Sequence, residues 1–216
     1  MSKTLATRIK FSIAKTYGAA VAMSAISNAA EAVATLAAAH GAVAGEYVEI
    51  QSAWPALNGR VVRIKSVDVN EVTLEKINTV SADKYPAGSG IGSIRRITAW
   101  DRLSQVNGVS TAGGEQQYSD ATDMDDEFEI KLPSIKSAKT TTLKFFDDPS
   151  LPWYPTVEAA CEAKIPTALL VELPNGAKSV SNAYWSMSDE PTMEKNQALV
   201  STITLAMSAP TVRYAS

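Results

Sequence analysis

The sequence predicts a mainly β chain: an antiparallel β-sandwich or barrel with one flanking α-helix and a short N-terminal arm. Three observations point there. Short runs that alternate apolar and polar residues recur between turn signals, and two Asn-Gly pairs stand where hairpins turn. Only one window reads clearly as a helix, and no βαβ rhythm accompanies it. The chain has 216 residues, of which 45% are apolar and 20% charged, so it buries a core and is neither disordered nor collagen-like.

Taken in order, Glu46-Tyr47-Val48-Glu49-Ile50 reads as a strand and Leu57-Asn58-Gly59-Arg60 as a turn. Val61 to Lys65 follows, with Val62 and Ile64 on one face and Arg63 and Lys65 on the other. Asp68-Val69-Asn70 turns the chain again into Val72-Thr73-Leu74-Glu75. Three such strands form an antiparallel meander. Asp83 to Gly92 is a Gly/Pro/Ser loop, and Ile94 to Trp100 is a strand. Asn107 to Gly114 is polar and glycine-bearing, and Thr140 to Phe146 is β-prone through its Thr run and paired Phe.

The helix covers Pro155 to Lys164. Pro155 suits the first turn, Val157, Ala160, Cys161 and Lys164 share one side, and Pro166 ends it. Thr167–Leu173, Pro174-Asn175-Gly176-Ala177 and Lys178–Met187 make the second hairpin. Leu199–Met207 is the final strand, with Leu199, Ile203, Leu205 and Met207 sharing a parity. Asn28 to Gly41 reads as Ala-rich helix, Asn28 and Glu31 forming a capping box and Gly41 the terminator. The layout is a single domain: arm 1–30, strand meander 31–100, long loop and hairpin region 101–150, and helix plus C-terminal strands 151–216.

Function classes narrow quickly. A net charge of −3, from 20 Lys+Arg and 23 Asp+Glu, argues against a general nucleic-acid binder. The one cysteine, Cys161, excludes an intramolecular disulfide framework and a Cys-rich zinc site. The stretch Tyr17 to Ala30 behind Lys3, Arg8, Lys10 and Lys15 imitates a signal peptide poorly, because Ala, Gly and Ser replace a leucine-rich centre. No window supplies ~20 strongly apolar residues for a membrane span.

Candidate chemistry is sparse. Gly88-Ser89-Gly90-Ile91-Gly92 lacks the Gly-Lys-Ser/Thr ending of a phosphate loop and precedes a strand, so it reads as a surface loop. Asp123, Asp125 and Asp126 resemble a calcium loop only in part, since Phe128 takes the glycine position. His40, beside Gly41 and far from any nucleophile elbow, reads as a turn residue. Cys161 reads as inert core. Trp54, Trp100, Trp153 and Trp185 read as core or interface anchors before a sugar platform. No catalytic residue, metal site or cofactor is expected.

The charge pattern along the chain is uneven. Glu115, Asp120, Asp123, Asp125, Asp126, Glu127 and Glu129 form an acidic segment without Lys or Arg. Lys3, Arg8, Lys10 and Lys15 form a basic N-terminal arm before any acidic residue. The acidic segment either joins a neighbour's basic arm or lines a bore and repels a polyanion.

Two sets of motifs add a resemblance. They are His40-Gly41, Gly45 to Ile50 and Leu57 to Ile64, with Tyr85-Pro86-Ala87-Gly88-Ser89-Gly90 and Ile97 to Trp100; and Leu151-Pro152-Trp153-Tyr154, Pro174-Asn175-Gly176, Asn182 to Ser186 and Pro191-Thr192-Met193. In this order they resemble the major tail tube proteins of siphophages. The resemblance implies a tail-tube fold assembling as stacked hexameric rings and a helical tube, with the inner sheets closing into one barrel that conducts DNA during ejection. It implies partners of the tape-measure, terminator and distal-tail kind, DNA in transit without sequence-specific binding, and no membrane insertion. It also implies a virion location after assembly in the host cytoplasm, with no enzyme activity. By the same resemblance Val33 to Ala38 is a strand, against the helical reading of 28–41, and both stay open. The C-terminal immunoglobulin-like domain of some relatives is expected to be absent, and the 81–93 loop is expected to order on polymerisation. The alternative from another class is a carbohydrate-binding or adhesive β-sandwich using its tryptophans.

Overall fold

A computed structural model describes residues 8–125 and 127–215. Its backbone is built around β1 (Lys10–Ile26), the longest strand, which belongs to two layers at once. The C-terminal half of β1 enters a closed circuit with β2 (Val33–Leu36), β5 (Glu71–Leu74), β4 (Arg60–Asp68), β3 (Tyr47–Ser52) and β6 (Gly92–Leu103), which returns to β1. This six-stranded barrel has no free edge to protect. Its interior holds Met23, Ala34, Val48, Ile50, Val62, Ile64, Val72, Leu74 and Ile94, while the polar residues between them face out.

The N-terminal half of β1 pairs instead with β11 (Thr167–Glu172), as Lys10 opposite Glu172 through Ile13 opposite Leu169. From there an antiparallel sheet continues through β12 (Lys178–Met187), β13 (Val200–Met207), β10 (Thr140–Phe146) and β7 (Val106–Ala112). The helix α1 (Tyr154–Ala163) covers one face of this sheet. Pro155 stands in its first turn, and Lys164 closes it in the left-handed region at φ 53°. Val157, Ala160 and Trp153 meet Phe11, Ile13, Phe145, Trp185 and Leu205 in a second core. β14 (Val212–Tyr214) pairs with the start of β12 and sends Tyr214 into the barrel's cluster.

Register shifts in the β1–β6 pairing at Ala14/Thr16, Thr16/Tyr17 and Tyr17/Ala20 mark where β1 passes from one layer to the other. These bulges bend the strand. They also corrupt the period-2 pattern, which is why residues 10–26 were expected within an N-terminal arm and are instead a central strand. Lys10 and Lys15 are therefore strand residues, ion-paired with Glu172 at 3.7 Å and Asp101 at 3.1 Å.

The open question over 28–41 resolves as strand at Val33–Leu36. The expected capping residues are spent elsewhere: Asn28 Nδ2 donates to the carbonyls of Thr79 and Tyr85, both at 2.8 Å, and Glu31 pairs with Lys65. Pairing on both edges, to β1 and β5, outweighs the helix propensity of alanine. The other departures are small. The polar stretch after Asn107 is strand β7 paired with β10, and β14 follows the strand expected to be last.

The hairpin at Pro174-Asn175-Gly176 forms as expected. Leu173 N–H donates to Ala177 O at 2.8 Å, Gly176 N–H donates to Leu173 O at 3.0 Å, and Gly176 takes φ 81°. The two layers are tied by a polar joint. Glu49, 5% exposed, accepts from Arg95 Nη2 at 2.5 Å and Asn182 Nδ2 at 3.2 Å, and Arg95 lies 4.4 Å over the Tyr17 ring. Tyr17 Oη in turn accepts from Ala168 N–H at 2.9 Å.

The loop 78–91 closes one end of the barrel. Trp54 Nε1 donates to Pro86 O at 2.9 Å and Ser89 Oγ at 3.1 Å, and Ser52 Oγ donates to Gly90 O at 3.0 Å. The segment expected to order on contact is thus already held within the single chain.

Candidate functional site

The outstanding surface feature is a hairpin that leaves the body. β7 and β10 stay paired to Ala112 opposite Thr140; then Gly113 and Gly114 take φ 74° and 82°. A Cβ on Gly113 would lie 1.9 Å from Ala138 O, so only glycine permits this crossing. Beyond it β8 (Gln116–Asp120) and β9 (Lys131–Lys136) pair, among the described residues, only with each other in a separate two-stranded sheet. The five residues of β8, at about 3.3 Å each, give the arm roughly 15 Å of paired strand beyond this crossing.

This arm is apolar as well as acidic. Tyr118, Met124, Phe128, Leu132 and Ile135 are each more than half exposed, and Ile130 is exposed beside them. Such a surface on a two-stranded hairpin is unfavourable in water unless another surface covers it. The acidic residues divide between its ends: Glu115 at the base, and Asp120, Asp123, Asp125, Glu127 and Glu129 around the tip. Asp126 lies outside the described residues. Asp120 Oδ1 accepts from Thr122 N–H at 3.0 Å and Thr122 Oγ1 at 2.7 Å, which holds its carboxyl below the usual carboxylate range. Ile130 N–H donates to Thr122 Oγ1 at 3.0 Å and closes the turn. Glu129 pairs with Lys131 at 2.9 Å.

The expected basic arm is not one group. Lys3 lies outside the described residues, Lys15 faces Asp101, and Arg8 and Lys10 border a groove with Glu172, Pro174 and Lys178. Next to that groove is a larger cleft of about 460 Å³ lined by Glu31, Tyr47, Arg63, Lys65, Glu75, Lys76 and Lys178. The Arg63 guanidinium meets Glu75 with two hydrogen bonds, of 2.6 and 2.8 Å, and holds that carboxyl below its usual range. Lys178 does the same to Glu172 at 2.8 Å. Tyr214 lies beneath Arg63, whose Cζ is 4.5 Å from the ring centroid, and its Oη accepts from Arg63 N–H at 2.7 Å.

Sequence reasoning missed this cleft. Its residues are up to 147 positions apart, from Glu31 to Lys178, and only the polar faces of Arg63 and Lys65 gave a signal.

Burial pushes the phenols of Tyr17 and Tyr214 up to about 12 from the usual 10.0. The fold thus favours the neutral form. The resulting stability is complete below pH 10 and is lost as pH climbs through about 12. Ultraviolet titration of the native protein should show both phenols ionising late, and Tyr214→Phe should remove one of them. Ionisation of every tyrosine near 10 in the folded chain would contradict the burial argument.

The remaining candidates are structural. Trp54, Trp153 and Trp185 are buried, and half-buried Trp100 meets the Tyr47 ring edge-on at 5.9 Å, so no tryptophan platform is presented. His40 is a turn residue between Ala39 and Gly41, both at φ 61°. Its Nδ1 accepts from Ala42 N–H at 3.0 Å, which leaves Nε2–H to donate to Val69 O at 2.8 Å. Cys161 is half-buried on α1, and burial pushes its thiol up. Among the described residues no three His, Cys, Asp or Glu side chains gather to hold a metal ion, and no helix is long and apolar enough to cross a membrane.

Comparison with known proteins returns to the tail. A search of the curated proteins finds no match. Among solved structures, the tube terminating cap of the anti-feeding prophage aligns at TM-score 0.40 and 17% identity, over 54% of this chain and 83% of that one. The sheath/tube terminator of an extracellular contractile injection system, in its extended state, aligns at TM-score 0.40 and 19% identity, over 53% and 88%. The extended sheath-tube complex of such a system aligns at 0.37 and 18%, over 50% and 80%. The family described as phage tail tube protein, TTP, matches residues 52–216. That stretch takes in the arm, α1 and every strand from β4 to β14, and the chain belongs to the phage tail tube protein family.

Proposed function

We propose that this chain is the structural, non-catalytic tail tube subunit of a long-tailed phage of the siphophage kind. It polymerises as stacked hexameric rings into a helical tube, and the lumen conducts DNA during genome ejection. The observation that carries the reading is the arm at 116–136, which exposes large apolar side chains while, among the described residues, making no strand pairing to its own body. Head-to-tail contacts of that kind build open filaments rather than closed pairs. The family match supports a tail location in the virion. Assembly in the host cytoplasm, and contact with tape-measure, terminator and distal tail proteins, follow from the same reading.

The acidic tip has two competing jobs in such a tube. It joins a basic surface of a neighbour, or it faces the bore and keeps phosphate from adhering through like charge. Electron microscopy of the purified chain at high concentration tests the proposal. Tubes of uniform width are expected, and a protein that stays monomeric under every salt and crowding condition would end it.

A further inference from the structure

The geometry points to a receptor for the arm: the cleft between β4, the end of β5 and β12 takes the carboxylate-bearing tip of a second copy of this chain. The inference rests on the assembly reading for the identity of the occupant, and goes beyond it in naming the surface.

Four cations line the cleft, Arg63, Lys65, Lys76 and Lys178, against two carboxylates, Glu31 and Glu75. Arg63, Lys65 and Lys178 are ion-paired within the chain. Lys76 is exposed, and among the described residues it makes no close ion pair, its neighbour Glu75 being held by Arg63 and feeling Lys76 only as a more distant charge; its Nζ donates to Arg213 O at 2.8 Å and lies 5.9 Å from the Tyr214 ring centroid. The cleft therefore carries surplus positive charge at its mouth.

A second observation lies at its back. Tyr47 is 7% exposed, lines the cleft, and its hydroxyl has no hydrogen-bond partner among the described residues. A buried hydroxyl left unpaired is unfavourable. A carboxylate entering between Lys76 and Lys178 would accept the Tyr47 O–H and complete the ion pairing. Exposed Arg213 and the Arg8–Lys10 groove beside Lys178 extend the same charge outward.

The tip supplies the complement. Asp120, Asp125, Glu127 and Glu129 stand exposed around it with Lys131 as the one nearby cation, and Phe128 and Met124 stand among them to cover apolar surface. Carboxylates on a projecting arm and a cation-rich cleft on the body make a heterologous contact that repeats from copy to copy.

Carbodiimide coupling, which joins an amine to a carboxylate only when the two touch, tests this on the full chain. Heavy-isotope-labelled and unlabelled protein are mixed in equal amounts, coupled and digested. The expected product joins Lys76 or Lys178 to a carboxylate of the 120–129 tip in mixed-isotope pairs. Lys76→Glu should reduce self-association at least tenfold at low salt, as should Glu127→Lys, and mixing the two variants should restore it. Circular dichroism checks that each variant folds.

Tip peptides coupled only elsewhere, or a Lys76→Glu chain that associates normally, would overturn the cleft as receptor while leaving tube formation intact. A wild-type chain that neither couples between copies nor forms tubes would remove the receptor and the assembly reading together.

Discussion

Excising the arm, by joining Gly114 directly to Ala138, should give a folded monomer that no longer builds tubes. Among the described residues the arm's strands pair only with each other and enter neither core cluster, so their loss removes little from either. The remaining turn between Ala112 and Thr140 keeps both glycines with positive φ, so the β7–β10 pairing stays intact. The melting temperature should change by no more than a few degrees. Solubility should rise, because Tyr118, Phe128, Leu132 and Ile135 leave the surface with the arm. Sedimentation and electron microscopy read the other half of the result, in which the wild type polymerises and the shortened chain does not. Tubes from the shortened chain would move the assembly surface to the body.

Gly92→Ala should be the most damaging small substitution in the barrel. Gly92 opens β6 opposite Ser52 of β3 and Met23 of β1. A Cβ there would lie 1.9 Å from Gln51 O and 3.0 Å from Ser52 Cα, both backbone atoms that do not swing aside. The β3–β6 ladder must separate at its end, beside the Trp54 plug. We expect a cost of about 3 kcal/mol or more. In a chain of this size that corresponds to a melting temperature lower by roughly 10 °C. Gly59→Ala is the control: Gly59 has φ 71° but open space around it, so only the left-handed backbone is penalised, at about 1 kcal/mol. Equal melting temperatures for the two variants would show that β3 gives way more easily than the packing suggests.

The contrast between readable and unreadable strands has a physical cause. The meander β3–β4–β5, the hairpin β11–β12, the strand β10 and the helix α1 were legible because each carries its own period and its own stop signal. Asn175-Gly176 turns one hairpin, Pro155 and Pro166 bracket the helix, and Val62 and Ile64 alternate with Arg63 and Lys65. β1 carries neither. Its middle is Gly18-Ala19-Ala20, its register against β6 shifts three times, and its β6 and β11 partners lie about 70 to 160 residues away. β2 misled in the same manner, since alanines favour a helix in isolation and Val33–Leu36 becomes a strand because two neighbours offer it hydrogen bonds.

At the candidate surface the division is similar. Seven acidic residues between Glu115 and Glu129 are visible as a run in the sequence, yet not that six apolar side chains share the same projecting hairpin. The basic cleft was invisible, since Tyr47, Arg63, Lys76 and Lys178 meet only after β3, β4 and β12 fold together.

By itself the sequence determined the local geometry: which segments extend, where they turn, which one coils, and that its charge is unevenly distributed. Those properties depend on side chains within a few positions of each other, where alternation, glycine and proline act directly on the backbone. Only the tertiary structure decided that β1 unites two layers, that the loop over Trp54 is packed, and that an unpaired arm and a cation-lined cleft exist on one molecule. Each depends on contacts between residues distant in the chain, whose free energy is set by burial and pairing that no short window contains.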